Sequence, residues 1–179
     1  MATENTTRVS FCLKTDVFQL VQKLSAEARL DPSAFMQRAL ERAVYKHLPP
    51  ERQMELDNME TLYTVAQHKA RKVFDAGLFD EHFTLSVFRE LMSDTNARQL
   101  YEQVIDADAY TDGAPKKTPL NMYLGLYIKN AIDAQPLLDD TGKPRRAFVK
   151  DEPIKSYTLL QITSAGAPAS AKSSLGARR

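Results

Sequence analysis

The fold is decided by residues 8–48, RVSFCLKTDVFQLVQKLSAEARLDPSAFMQRALERAVYKHL. The first seven of these residues alternate, so that Val9, Phe11 and Leu13 fall on one face of an extended chain and more polar side chains fall on the other. This pattern predicts one strand, and helical patterns follow it. Because the strand has no second strand nearby in the sequence, we expect it to pair with the same strand of a second copy.

Two short helices are predicted after this strand. The first, over residues 15–28, is indicated by apolar residues at helical spacing, which are Val17, Leu20, Val21, Leu24 and Ala28. After a turn at residues 29–30, Asp31-Pro32-Ser33 favours a new helix, because Asp caps free amides and Pro fits the first helical position. The second helix carries its own apolar stripe, which is Met36, Ala39, Leu40, Ala43 and Val44, and it ends before Pro49-Pro50.

The rest of the chain shows mostly helical patterns. Helices are predicted from Pro50 to about Gly77, over 82–92, over 95–105 with Asp94 as the cap, and from Thr118-Pro119 to about Ala134. A loop is expected over 106–117. A turn at 140–143 between short extended runs, and a further run at 157–163, predict a small β hairpin. The predicted fold class is therefore mainly α.

Three parts of the chain differ in composition. Residues 1–49 hold the strand and two helices, residues 50–163 form a mostly helical domain with the hairpin, and residues 164–179 are a basic tail that we expect to be disordered. Lys and Arg against Asp and Glu number seven to five over residues 1–50, six to thirteen over 51–113, and eleven to five over 114–179. The basic ends are compatible with nucleic-acid contacts, and the acidic middle excludes a uniformly basic coat.

The sequence also indicates a compartment. It contains no run of about 18 apolar residues and no charged-then-apolar leader, so we expect neither a membrane span nor export. The single cysteine, Cys12, has no intrachain disulfide partner. These features favour a reducing cytoplasm.

The order of strand, helix, turn and helix within residues 8–48 resembles the ribbon-helix-helix family of DNA-binding proteins, which includes the Arc, MetJ and CopG repressors. The residues that carry the resemblance are the alternating RVSFCLK, the helix VFQLVQKLSAEA, the turn RLDPS and the helix AFMQRALERAV. The resemblance implies a homodimer in which two strands form an antiparallel ribbon that enters the major groove. It also implies that the four helices of the dimer form a shared core.

The resemblance assigns roles to individual residues. Arg8, Ser10 and Cys12 would face the bases, with Arg8 as the strongest reader through guanine. Lys14 and the start of the second helix, at Ser33 and Ala34, would contact phosphates, because free amides there form an anion site. The implied dimer core consists of Val9, Phe11, Leu13, Val17, Leu20, Val21, Leu24, Met36, Ala39 and Leu40. The alternative for the outward residues is a plain solvent face of a dimerising strand.

A second DNA-contacting region is a further hypothesis. Lys143, Arg145, Arg146 and Lys150 lie in or near the predicted hairpin turn, which follows helices as a wing follows a helix-turn-helix core. In this hypothesis the preceding helix presents its polar side, which consists of Asn121, Tyr123, Lys129 and Asn130. A structural hairpin with solvated charges is the alternative.

Catalytic and metal sites are not indicated. His47, His68 and His82 lack metal-ligand spacing, and the acids Asp106, Asp108 and Asp112 do not fit a calcium loop. The sequence has no Gly-rich phosphate loop and no nucleophile elbow. We therefore expect no enzyme activity, no catalytic residue, no metal and no cofactor.

The function predicted from the sequence is that of a homodimeric, sequence-specific binder of double-stranded DNA, a transcriptional repressor or autoregulator of bacterial, phage or plasmid type, in the cytoplasm with the nucleoid. Two alternatives stay open. One is an antitoxin whose C-terminal part binds a toxin. The other is an accessory DNA-binding protein of a plasmid transfer or partition complex, in which residues 50–163 bind a protein partner.

Overall fold

The computed structural model describes residues 7, 9–28 and 30–162. The chain divides into two compact units between Leu48 and Pro49, one residue from the boundary expected from the sequence. Helices predominate, and short antiparallel strands occur only in the second half of the described chain. None of the described helices combines the length and the apolar character that a membrane crossing requires.

The described residues of unit 1, which spans residues 1–48, form two helices. Helix α1 spans Thr15–Glu27 and helix α2 spans Pro32–Val44, followed by a single 3₁₀ turn at Tyr45–His47. Both helices lie where the apolar stripes predict them, because capping and periodicity are local signals. The predicted strand is not shown: residues 9–14 carry no strand and pair with none in the described part of the chain, although Lys14 is extended, with φ −63° and ψ 146°.

Unit 2 begins with helix α3, Pro50–Asp75, which packs against three shorter helices. These are α4 at Phe83–Ser93, α5 at Thr95–Ile105 and α6 at Lys117–Ala131. Ala66 and Ala70 of α3 are fully buried, and their small side chains let the neighbouring helices approach. Gly77 ends α3 as predicted, with φ +76° and its N–H donating to the carbonyl of Phe74 at 2.9 Å.

The core of unit 2 lies among these four helices. Its largest fully buried apolar side chains are Leu62, Phe83, Phe88, Leu91, Tyr101, Leu124 and Ile128. An aromatic pair joins α3 to α6, since the rings of Tyr63 and Tyr127 stack with their centroids 4.6 Å apart. Unit 2 therefore buries enough apolar surface to form a core of its own.

Helix α6 starts earlier than the sequence pattern predicts. It begins at Lys117, without a side-chain cap, whereas Thr118 was the predicted cap, and it ends at Ala131 rather than near Ala134. Lys117 is only 6% exposed, and its ammonium donates to the carbonyl of Thr111 at 2.9 Å. This tertiary contact fixes the first residue of the helix in place of a local cap.

The strands are short and pair at long range. Strand β1, Gln135–Pro136, pairs with β4, Leu160–Gln161, and β2, Arg146–Phe148, pairs with β3, Ser156–Thr158, both antiparallel. The turn at 140–143 is present, because Gly142 N–H donates to the carbonyl of Asp139 at 3.0 Å. A small antiparallel hairpin is present, as the sequence predicts, but its paired strands are β2 and β3. Across the turn at 140–143 itself, Leu138 and Pro144 form a bridge, and Asp139 N–H donates to the carbonyl of Lys143 at 2.8 Å.

Three chain segments meet in what we call the three-segment junction. Leu137 N–H donates to the carbonyl of Leu159 at 2.8 Å, Leu159 N–H to that of Arg145 at 2.9 Å, and Arg145 N–H to that of Leu137 at 2.8 Å. Each segment is therefore bonded to both of the others. The junction holds β2 and β3 in a fixed position within unit 2.

Candidate nucleic-acid interface

The residues before α1 are exposed. Ser10, Cys12 and Lys14 all lie at the surface, and none of them forms an ion pair with another described residue. Arg8, the predicted base reader, lies outside the described residues. The three described residues are available to a partner on their polar side.

The apolar side of the same segment is also exposed in the single chain. Val9 is 71% exposed, Phe11 57% and Leu13 37%. The two helices continue this surface with further exposed apolar side chains, which are Val17, Phe18, Leu20, Leu24, Leu40 and Val44. We call these nine residues the apolar face of unit 1.

Unit 1 buries very little by itself. Among its described residues only Ser25, Leu30 and Ala34 are buried, while Val21 and Met36 are partly covered and Ala39 is exposed. Ser25 satisfies its hydroxyl locally by donating to the carbonyl of Gln22 at 3.0 Å. The residues predicted to form a dimer core are thus uncovered or half-covered in one copy. A unit of this size with three buried residues is too poorly packed to be stable alone.

The N-terminus of α2 has the predicted cap. Asp31 Oδ1 accepts hydrogen bonds from the backbone N–H groups of Ser33 and Ala34, each at 3.0 Å. These two amides are the ones predicted to bind a phosphate. In the structure both already donate to the Asp31 carboxylate, which is negatively charged. The Ser33 side chain is exposed, whereas Ala34 is 5% exposed, so the hydroxyl of Ser33 is the remaining donor for a phosphate.

A second basic surface lies on unit 2. The basic hairpin, defined here as residues 143–158, carries Lys143, Arg145, Arg146 and Lys150. Among the described residues none of these four forms an ion pair, and only Arg146 has a side-chain hydrogen bond, to Ser156 Oγ at 2.7 Å. The four cations thus form no close ion pair within the described part of the chain, although the charge of Arg145 acts on Asp139, whose pKa is lowered first by the Thr141 hydrogen bond and also by Arg145.

The polar side of α6 is not free in the same way. Asn121 Oδ1 accepts from the hydroxyl of Tyr101 at 2.8 Å, and Asn121 Nδ2 donates to the carbonyl of Pro153 at 3.3 Å. Tyr123 lies near Tyr63, with ring centroids 6.3 Å apart. Burial lowers the pKa of Lys129 below its usual range. The hypothesis that this helix presents a recognition face is therefore wrong for Asn121, whose side chain is used to hold unit 2 together.

The three histidines do not form a shared metal-binding cluster within the described residues. His82 lies before α4, and its Nδ1 is 2.8 Å from the hydroxyl of Tyr157 in β3, so it fastens the basic hairpin to the helical core. No cluster of three or more His, Cys, Asp or Glu side chains suited to a metal ion occurs within the described residues. In the loop before α6, Asp108 caps Tyr110 N–H at 2.8 Å and binds Arg98 at 3.2 Å. This acid has a structural role in the loop.

Two features of the structure were not predicted from the sequence. Phe148 belongs to AFV, one of the short extended runs beside the predicted turn, and its 79% exposure was not predicted. The hydrogen bonding of the α2 amides could have been predicted, because the Asp31 side chain that caps the helix accepts hydrogen bonds from these same amides. The exposure of Phe148 has no comparable local signal, since it depends on which strand pairs with β2.

Comparison of the chain with protein families, with curated proteins and with solved structures gave no significant match.

Proposed function

We propose that the chain is a homodimeric, sequence-specific DNA-binding protein of ribbon-helix-helix type, which acts as a transcriptional repressor or autoregulator. One observation carries the proposal. The apolar face of unit 1 is exposed in a single copy, and it runs from the non-helical residues 9–14 onto two helices in the order that such a dimer uses.

The energetics favour a second copy as the cover for this face. Burying a large apolar side chain contributes about 1.5–3 kcal/mol, so covering the exposed half of each of nine such side chains contributes roughly 1 kcal/mol apiece. Small domains with little buried surface commonly gain their stability by association. A symmetric pair would supply cover for every member of the apolar face at once.

The segment before α1 supports the same arrangement. Residues 9–14 have no strand partner among the described residues, and Val9, Phe11 and Leu13 alternate with Ser10 and Cys12. Pairing with the same segment of a second copy satisfies the backbone groups and turns the apolar side chains onto the helices. The opposite side then presents Arg8, Ser10 and Cys12, and a two-stranded ribbon fits the major groove.

A folded unit 2 favours this function over that of an antitoxin. Toxin-binding tails are commonly short and disordered until bound. Residues 49–162 instead pack around their own core. Such a unit suits an effector or protein-interaction role attached to a DNA-binding dimer.

Selection of bound sequences from a random DNA library tests the proposal, followed by titration of the selected duplex. Arg8→Ala should weaken specific binding roughly 5- to 150-fold, since a bidentate contact to guanine contributes about 1–3 kcal/mol. Dimer mass and helix content should stay unchanged. Phe11→Ala should instead reduce the dimer and the helix content together. Equal affinity of Arg8→Ala and the parent chain for the selected duplex would refute the groove assignment.

A further inference from the structure

The outer face of the basic hairpin combines an exposed aromatic ring with cations. In the pairing of β2 with β3, Phe148 lies opposite Ser156 and Arg146 lies opposite Thr158, while Ala147 lies opposite Tyr157. Residues directly opposite each other share a face of the hairpin. Tyr157 is 5% exposed and points to the core, so Phe148 and Arg146 point away from it.

Phe148 stands apart from the other aromatic side chains of unit 2. It is 79% exposed, and no ring or cation contacts it among the described residues. Phe74, Phe79 and Phe83, by comparison, pack edge to face or tilted with centroids 5.3–6.4 Å apart. A single exposed apolar side chain is ordinary at a protein surface. Phe148 differs from the others because its ring lies between cations in the chain, at Arg145, Arg146 and Lys150.

Several hydrogen bonds hold the hairpin that carries this ring against the rest of unit 2. Tyr157 is held by His82 at 2.8 Å, and Leu160 N–H donates to the carbonyl of Glu81 at 3.0 Å. Arg89 donates to Glu152 Oε1 through Nε at 2.8 Å and Nη2 at 2.6 Å. These contacts and the three-segment junction fix the strand that presents Phe148. Its exposure is therefore a property of the folded hairpin.

The charge around the ring is positive. The segment KPRRAFVK, residues 143–150, contains four cations and no acid. Four acids flank it, and two of them are engaged: Asp139 accepts from the Thr141 hydroxyl at 2.7 Å and from Lys143 N–H at 2.9 Å, and Glu152 is bound by Arg89. Asp140 and Asp151 remain exposed at the two sides of the segment. The cations dominate between them.

We propose that the basic hairpin is a second nucleic-acid contact, in which Phe148 lies against a base or sugar and Lys143, Arg145, Arg146 and Lys150 neutralise phosphates. A polyanion with flat apolar faces complements both features at once. A protein partner with an acidic apolar groove would use the same charges but has no need of a planar ring. The contact belongs to unit 2 and does not require the ribbon of unit 1.

A fluorescence experiment on the full chain tests the role of the ring. The chain contains no tryptophan, so Phe148→Trp introduces a single reporter. Titration with a random-sequence duplex, or with one of its single strands, should quench this emission about twofold or more if the indole stacks on nucleic acid. The duplex and single-strand arms identify the preferred form. Leu78→Trp is the matched control, because Leu78 is 66% exposed in unit 2 and should report no quenching.

Affinity measurements separate the ring from the charges. Phe148→Ala should weaken binding roughly tenfold, and Phe148→Leu should do the same because it keeps an apolar side chain but loses the flat face. The double variant Lys143→Gln/Arg145→Gln should lower the slope of log affinity against log salt by up to about 2. Its matched control is Arg71→Gln/Lys72→Gln, two exposed cations of α3 that form no ion pair among the described residues.

Two results would overturn this inference: an emission from Phe148→Trp that neither nucleic acid changes, or parental affinity and salt slope in both hairpin variants. Thermal unfolding of each variant should match that of the parent, because the substituted side chains are exposed. The outcome is separable from that of the proposed function. Arg8→Ala leaves the hairpin intact and tests sequence-specific binding by unit 1. The quenching measured in Phe148→Trp tests the hairpin, so either result can be obtained without the other.

Discussion

The hydroxyl of Tyr101 donates to Asn121 Oδ1 at 2.8 Å and thereby joins α5 to α6. Tyr101 is fully buried, and its burial raises the pKa of the phenol well above its usual range. Because Asn121 also holds the carbonyl of Pro153, this pair connects two helices to the segment that leads into β3.

Tyr101→Phe should therefore destabilise the protein by about 1 kcal/mol, since Asn121 loses a donor. The folded state favours the neutral phenol, so the stability that Tyr101 contributes is complete below its unfolded pKa near 10 and is lost as pH rises above that value. Urea unfolding between pH 8 and pH 11 should show a steeper loss for the parent than for Tyr101→Phe. Tyr110→Phe is the control, because Tyr110 is 46% exposed. Parallel curves for the parent and Tyr101→Phe would contradict the assignment.

Leu20→Asp should abolish dimer formation. Leu20 is 58% exposed in a single copy, so the carboxylate would be solvated in a monomer but unpaired and desolvated in the dimer. Sedimentation velocity should shift from twice the 20.2 kDa chain mass to the chain mass itself, with a loss of helix content as unit 1 unfolds. Leu78→Asp places the same charge on an exposed site of unit 2 and should leave the mass unchanged. A dimer in both variants would exclude the apolar face as the interface.

The register of the ribbon can be tested through Cys12. A symmetric antiparallel ribbon over residues 8–14 has Phe11 at its centre, which sets Ser10 of one copy opposite Cys12 of the other. Opposite residues lie about 4.5–5.5 Å apart, within disulfide reach, whereas Cys12 and its own copy are diagonal neighbours about 7–8 Å apart. Mild oxidation of Ser10→Cys should yield a covalent dimer on a non-reducing gel.

The controls for this experiment fix the register. The parent chain and the double variant Ser10→Cys/Cys12→Ser should both remain monomeric on the same gel, since each has only diagonal pairs. Efficient crosslinking of the parent would instead place the centre of the ribbon at Cys12. No crosslinking in any of the three chains would argue against an antiparallel ribbon.

Asp31→Asn should raise DNA affinity severalfold. Asparagine caps a helix about as well as aspartate, so the variant keeps the hydrogen bonds to Ser33 and Ala34 but removes the charge that would repel a phosphate. Between two fully solvated charges about 4 Å apart such a repulsion is about 1 kcal/mol. Asp94→Asn is the matched control, because Asp94 caps α5 in the same way, at 3.1 Å from Asn96 and Ala97 N–H. An unchanged affinity in Asp31→Asn would place the phosphates away from α2.

The sequence predicted those parts of the fold that depend on neighbouring residues. Asp31, Gly77 and Asp94 mark helix ends through hydrogen bonds that span only a few residues, and the structure confirms all three. Helix α6 starts earlier than predicted because the Lys117 side chain donates to the carbonyl of Thr111, a contact that no capping pattern marks. The strand pairings were not predictable either, since β1 and β4 are far apart in the chain and neither is longer than two residues.

In the candidate site, too, the features that depend on neighbouring residues were predicted and those that depend on distant residues were not. The alternation of residues 9–13 and the stripes of α1 and α2 were visible in the sequence, and all of these apolar positions except Val21 and Met36, which are partly covered, are exposed in the single chain. Their cover is a second chain in our proposal, so one sequence indicates the need for it but not its geometry. Phe148 was missed because its exposure follows from the pairing of β2 with β3.

The three-segment junction imposes an order on the folding of unit 2. Two of its three hydrogen bonds cannot form until Leu159 has come back to Leu137 and Arg145, whereas α3 to α6 are held by contacts between helices that come earlier in the chain. The junction is therefore a late step, and Phe148 reaches its final position only when this step is complete. A nascent chain that ends before Leu159 would have its helices but only one of the three hydrogen bonds of the junction.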